Sequence, residues 1–249
     1  PFHCNKQYGV YRKGLFEDPE EQKNFKAKYG YDLKVPETWQ EVKDVSTFFV
    51  RPPDLFGMSS SLVSYQAIQI FLDQYYMAGF DILDPSTLRC TFGKDGKGRD
   101  TAIAIIKFLQ DGLNKDKFIL KDSVNYGTGG ACEAFMSGTV AIAYTWNGDY
   151  WATYNTKPEV VKLLGPVGSF MFPGIKGTPE KSGSGGCCSW ISYGLGNDCQ
   201  HPKETWKFLM FLMDPDVQMA MQGYQLSPLK DLAERSIKET YPGTDVTIN

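Results

Sequence analysis

Residues 133–151 read EAFMSGTVAIAYTWNGDYW, and the succession of patterns inside them decides the fold class. A short helical run closes at Gly138. TVAIAYTW (139–146) follows as a strand, Asn147-Gly148 breaks it, and DYWATY restarts as a helical turn. A strand set between helices argues for an α/β architecture.

Upstream of that stretch the helical period recurs. Leu62, Tyr65, Ile68, Leu72 and Tyr76 fall at three- and four-residue steps and predict a helix over 61–78, ended by Gly79. After a loop rich in Gly, Lys and Asp (92–100), Ala102, Ile105, Ile106, Leu109 and Leu113 form a second stripe, with Asp100 expected as its N-cap. Further back, VPETWQEV carries a capping box, Thr38 as N-cap and Glu41 reaching back, ahead of Trp39, Val42, Val45 and Phe49 on a core-facing helix. Residues 17–32 mix Glu, Lys and Asp and predict a solvated helix, and 1–13 an extended segment.

Downstream, residues 166–187 read as a Gly/Pro/Ser loop around a short strand at Ser169–Phe172. CCSWISYGL (187–195) reads as a strand, and 202–213 and 215–223 as two helices, the second opened by Pro215 after Asp214. No internal repeat or low-complexity tract interrupts this order.

Composition narrows the function. The chain has 249 residues, and 26 Lys and Arg against 29 Asp and Glu leave a net charge of −3. That balance argues against nucleic acid, which needs a basic face. No run approaches the ~18 apolar residues of a membrane span. Two His residues leave little room for His-based catalysis, whereas five Trp, 14 Tyr and 16 Phe suit an apolar pocket for a small polar ligand.

Phosphate loops do not fit the glycine runs. Gly127-x-Gly129-Gly130 and Gly183-x-Gly185-Gly186 lack the strand–loop–helix spacing and the Gly-Lys-Ser/Thr they would need. GKDGKGRD (93–100) lacks the acid set of a calcium loop. Cysteines stand at 4, 90, 132, 187, 188 and 199 with no C-x-x-C, and adjacent strand residues such as Cys187 and Cys188 point apart, so the Cys187, Cys188, Cys199 and His201 cluster reads as buried thiols rather than zinc ligands. No metal and no cofactor is expected. His3 and His201 have no nucleophile elbow near them.

WNGDYW (146–151) is the richest site signal. Trp146, Tyr150 and Trp151 surround a strand-to-helix turn that carries Asn147 and Asp149. Aromatic faces pack on the C–H face of a sugar while amide and carboxylate groups meet its hydroxyls. Trp146 closes a strand, where α/β ligands bind. Trp151 reads equally well as core.

Three segments carry a family resemblance: YRKGLFEDPEEQKNFKAKYGYDLKVPETWQEV (11–42), the F-x-S-G-x-V-A-x-x-x-x-W-x-G run (135–148) and PKETWKFLMFLMDPDVQ (202–218). In this order they resemble the extracellular solute-binding proteins (family 1) of sugar-type ABC importers, the class that includes maltose-binding protein. The resemblance implies a two-lobed α/β fold of the periplasmic-binding-protein type II, with the first lobe only partly covered and this chain an internal fragment. It implies a hinge crossing at 1–8, the second lobe at 9–183, part of the first lobe at 184–226 and the start of the next crossing at 227–249. Asn5 falls in the first crossing, Tyr65 and Gln66 on the helix that faces the cleft, and Trp146, Asp149 and Tyr150 at the aromatic corner. Gly185, Gly186 and Trp190 fall in the return crossing. Cys187-Cys188 departs from the small or aliphatic residues expected there, and a Cys4–Cys187 hinge disulfide is implied as a hypothesis.

The implied function is capture of a carbohydrate by a non-enzymatic monomer, periplasmic or extracellular, free or lipid-tethered, that serves ABC permease subunits. The alternatives are a polyol, glycerol-phosphate-like or peptide ligand on the same fold, and a carbohydrate-active enzyme. An anionic ligand would need Arg or Lys at the site, and Arg12 and Arg51 are not obviously there.

Overall fold

The computed structural model describes residues 3–93, 96–146, 154, 157–174, 188–191, 193–220, 231–232 and 235. The chain divides into two units, Gln7–Cys187 and the pair of segments Pro1–Lys6 and Cys188–Asn249. In chain order the elements are β1 (His3–Arg12), α1 (Lys13–Glu17), α2 (Pro19–Tyr29), α3 (Trp39–Phe48), β2 (Phe56–Ser60), α4 (Ser64–Met77) and α5 (Lys97–Gln110). A π-turn (Asp111–Lys115) and a 3-10 turn (Lys121–Asn125) lead to α6 (Thr128–Met136), β3 (Val140–Trp146), α7 (Pro158–Leu164) and β4 (Val167–Phe170). Then follow β5 (Cys188–Ile191), α8 (Pro202–Leu212) and α9 (Pro215–Ala220).

In the larger unit the strands lie in the order β2-β3-β1-β4. β2 runs parallel to β3, with Met58 opposite Ile142 and Ser60 opposite Tyr144. β1 runs antiparallel to β3, Gln7 opposite Trp146, and to β4, Gly9 opposite Phe170. In the smaller unit the first residues of β1 pair antiparallel with β5, Asn5 opposite Ser189.

β3 explains why the sheet sits at the centre of its unit. All seven of its residues are buried, which is the pattern of a strand covered on both faces. One core cluster joins Phe16, Val42, Val45, Phe49, Met58 and Ile142. A second joins Tyr8, Val10, Cys132, Phe135, Val140 and Ala143. Burying each Val, Ile, Phe or Met side chain among them contributes roughly 1.5–3 kcal/mol. Beside β3, Gly57 of β2 has no room for a side chain: a methyl there would stand 2.1 Å from the Ser46 carbonyl oxygen and 2.7 Å from that of Phe118. The small residue lets α3 press directly on the sheet.

Local signals locate most helices. Thr38 accepts from the Glu41 amide at 3.2 Å while the Glu41 carboxylate accepts from the Thr38 amide at 3.0 Å. Behind this capping box Trp39, Val42, Val45 and Phe49 are buried. Asp18 caps α2 by accepting from Glu20 and Glu21, and Gly30 ends it in the left-handed region at φ 82°. Gly79 (φ 83°) follows α4 in the same way.

Four expectations change. The 17–32 helix is not solvated all round, because Phe25 is fully buried against Tyr29, Tyr31 and Phe48. The 61–78 stripe faces outward at Tyr65, Ile68 and Tyr76, and the buried face of α4 is instead Gln66, Ile70, Asp73, Gln74 and Tyr75. Asp100 is no N-cap: α5 starts three residues earlier at Lys97, so Asp100 sits in its first turn, where a negative charge suits the helix dipole. The strand at 169–172 lies at Val167–Phe170, and α7 ahead of it has no forecast. Cys132 is buried, but Cys90 is exposed and Cys199 half-buried, its thiol 3.3 Å from the Thr205 hydroxyl. Cys187 and the Asn147-Gly148 break lie outside the described residues.

Candidate functional site

Parallel strands deliver their carboxyl ends to one edge of a sheet, and in α/β folds ligands settle there. Here that edge is formed by Ser60 of β2 and Trp146 of β3. The chain leaving β2 is fixed in place by several hydrogen bonds. The Ser61 hydroxyl donates to the Gly127 carbonyl at 2.8 Å, the Leu62 amide to Ser123 at 3.0 Å and the Val63 amide to Tyr126 at 3.2 Å. These bonds set the start of α4 beside the start of α6.

Two successive residues of α4 then take opposite roles, because a helix turns about 100° per residue. Tyr65 is 61% exposed. Its hydroxyl lies close to Gly127, 3.8 Å from where a methyl group on that glycine would stand. Gln66 turns inward and is only 4% exposed, and its side-chain carbonyl accepts from the Trp146 indole N–H at 3.4 Å.

Behind this pair stands a second amide. The β1–β3 register brings Gln7 opposite Trp146. With its amide oriented to match its neighbours, the Gln7 nitrogen donates to Asp73 Oδ2 at 2.7 Å and to the Tyr144 hydroxyl at 3.1 Å, and its oxygen accepts from the Trp146 indole at 3.2 Å. Asp73 lies two turns along α4 from Gln66, on the same buried face. Tyr126 belongs to the same edge, and its phenol is raised above the ordinary tyrosine range by burial first, then by Asp122 and Glu133. It remains neutral at physiological pH.

The two arginines in question lie at the other end of the strands. Arg12 donates to the carbonyl of Gly138, just ahead of β3, at 3.1 Å. Arg51, just ahead of β2, forms a bidentate pair with Glu21 at 2.5 and 2.6 Å and lies over the rings of Phe48 and Phe49. Neither faces the Trp146 edge.

The expected site residues divide accordingly. Tyr65, Gln66 and Trp146 come together at one edge. Trp146 is only 5% exposed, so it is a buried wall of that edge and Tyr65 is its open ring. Asn5 and Trp190 belong to the smaller unit, in register with Ser189 and Cys4. Asp149, Tyr150, Trp151, Gly185 and Gly186 lie outside the described residues. Gln7, Asp73 and Tyr144 were not foreseen. A signal for part of this set was present: Gln66 and Asp73 lie two turns apart on α4, and polar side chains on a buried helix face usually meet partners there.

Among the described residues no three His, Cys, Asp or Glu side chains gather to hold a metal ion, and no helix is long and apolar enough to cross a membrane.

Comparison with known proteins places this geometry. Residues 1–219 match the family described as bacterial extracellular solute-binding protein. Among solved structures, the chain is similar to the maltose-bound MalE3 of T. maritima, with a TM-score of 0.72 and 21% identity over 97% of this chain and 57% of that one. It is also similar to a D-mannitol-bound ABC transporter solute-binding protein of Agrobacterium vitis (0.67, 16%, 95% and 54%). A third is the maltotriose-bound maltose/maltodextrin-binding domain MalE of Bdellovibrio bacteriovorus (0.65, 14%, 96% and 56%). The chain thus spans little more than half the length of these relatives, and at such identities the likeness establishes the fold: a mixed α/β, periplasmic-binding-protein-like architecture, partly covered. By its match over residues 1–219, the chain belongs to the bacterial extracellular solute-binding protein family.

Proposed function

We propose that this chain belongs to the substrate-binding component of an ABC importer and captures a neutral carbohydrate. The observation that carries the ligand class is the edge at Trp146: an exposed tyrosine ring beside buried amides, with Arg12 and Arg51 engaged at the far end of the strands. A ring face and amide groups suit the mixed apolar and hydroxyl surface of a sugar. A glycerol-phosphate-like anion would call for a cation at that edge. Family membership supports capture over chemistry, a periplasmic or extracellular setting and delivery to permease subunits; the protein is further proposed to act as a monomer and without catalysis. Maltose, maltotriose and D-mannitol in the similar structures support sugars and polyols as the first ligands to try.

The division at Lys6/Gln7 and Cys187/Cys188 supports assigning 9–183 to one lobe, 184–226 to part of the other, and 1–8 and 227–249 to crossings between them. Asp149, Tyr150, Asn5, Gly185, Gly186 and Trp190 are the further candidate contacts that the family resemblance implies.

A thermal-shift screen tests the ligand class, because a ligand that binds only the folded state raises its melting temperature by mass action. Maltose, maltotriose or D-mannitol should raise it, and the sugar should be recovered unhydrolysed. A shift with glycerol phosphate alone, or hydrolysis of the sugar, would overturn the proposal.

A further inference from the structure

Gln7 lies on β1, in register with Trp146, and is not among the residues that the family resemblance assigns to the ligand. It is 2% exposed, and its amide meets three side chains from two elements: Asp73 of α4 and Tyr144 and Trp146 of β3. An amide can be turned either way round, and the neighbours decide which way. With the nitrogen toward Asp73 and Tyr144, the carboxylate receives a donor and the oxygen is left to accept from the indole. Turned over, the amide would set its oxygen against the Asp73 carboxylate and its N–H groups against the indole N–H. Both mismatches would be buried, where unmatched polar groups cost most. Asp73 therefore fixes the direction of the Gln7 amide, and the Gln7 amide fixes the indole of Trp146.

The indole N–H is also 3.4 Å from Gln66, the neighbour in sequence of the exposed Tyr65. Gln7 and Gln66 thus hold one indole from two sides, one from the sheet and one from the helix that presents Tyr65. We propose that Gln7 is a positioning residue: oriented by Asp73, it locks the Trp146 indole and so sets the wall against which a ligand at Tyr65 is held. This rests on the reading that the Trp146 edge is where the saccharide binds.

The experiment compares the full chain with Gln7→Met, which keeps the length of the side chain and removes the amide. Two readouts are taken at a temperature where both proteins are fully folded. The first needs no ligand: exchange of the Trp146 indole N–H, followed by nitrogen-15 NMR and assigned with Trp146→Phe. It should accelerate at least tenfold in Gln7→Met. The second is affinity for maltose, maltotriose and D-mannitol by calorimetry. It should weaken at least tenfold in Gln7→Met, but less than twofold when Gln7→Met is added to Trp146→Phe, because the residue acts through the indole. A merely structural Gln7 would lower the melting temperature and leave both readouts of the folded protein unchanged, and that result overturns the proposal. So does an equal loss of affinity in both backgrounds. If no sugar binds the parent chain, the ligand reading fails, and the indole exchange still decides whether Gln7 positions Trp146. Should Gln7→Met not fold, Tyr144→Phe removes one partner of the amide while its ring keeps its packing on Phe172. Exchange should then rise severalfold, and no change would overturn the proposal.

Discussion

The two ends of the β2–β3 pair commit their polar groups in different ways. At the amino ends, cations do the work: Arg12 donates to Gly138 and Arg51 grips Glu21 over two phenylalanine rings. These partners are a carboxylate of α2 and a backbone carbonyl ahead of β3, and they tie the strand ends to their neighbours. At the carboxyl ends the indole is held by two neutral amides, and Tyr65 is left open. Amide and indole groups pair with one another there, with the Asp73 carboxylate behind them, whereas an unmatched arginine would attract anions. The contrast teaches that the polar groups an edge has already committed describe it better than the residue types it contains.

The contrast can be broken most forcefully at Trp146. Trp146→Ala empties a buried site and should cost about 3–5 kcal/mol of stability, read from denaturant unfolding, and binding of sugar should fall more than tenfold. A loss under about 1 kcal/mol would mean that the indole is not wedged into the edge. Tyr65→Ala sharpens the same comparison, since an exposed side chain should change stability by no more than about 0.5 kcal/mol while sugar affinity drops about tenfold, near 1.4 kcal/mol. Arg51→Ala, at the opposite end, should do the reverse. Stability should fall by about 1 kcal/mol, and calorimetry should show unchanged sugar affinity. A weakened affinity there would erase the distinction between the ends.

The smallest effect lies outside both ends, in the loop between α4 and α5. The Asp84 carboxylate accepts from the Ser86 hydroxyl and from the amides of Ser86 and Thr87, which lowers its pKa to about 2. Because the folded value lies below the unfolded one of about 3.9, its contribution is complete above pH 4 and is lost as the pH falls through 2. Carbon-13 NMR of Asp84 should show a midpoint near 2, and a midpoint near 4 would contradict that hydrogen-bonded turn.

How much of this was legible in the sequence depends on how far away the partners lie. The capping box at Thr38 and Glu41, the proline starts of α8 and α9 and the β3 strand are local signals, and each sits where its own residues put it. The inner face of α4 was misread because its apolar stripe and its buried stripe differ. Tyr65, Ile68 and Tyr76 look like core, yet Gln66 and Asp73 are buried because Trp146 and Gln7, from strands remote in sequence, supply hydrogen bonds, while the buried Gln74 amide turns to the Met77 sulfur of its own helix. Periodicity weighs hydrophobicity alone and cannot see such partners. Trp146 ends its strand where the sequence puts it, but its burial depends on Gln7 and Gln66. The start of α5 was missed for a smaller reason: its N-cap Gly96 has no side-chain cap, so the nearest acid drew the assignment.

The most direct test of the central claim, a neutral saccharide held at the Trp146 edge, is calorimetric titration of the full chain and its Tyr65→Ala variant with maltose, maltotriose and D-mannitol. The account predicts saturable binding of at least one of them to the parent and an affinity about tenfold weaker in the variant. Equal affinity in both proteins, or binding of none, would contradict it.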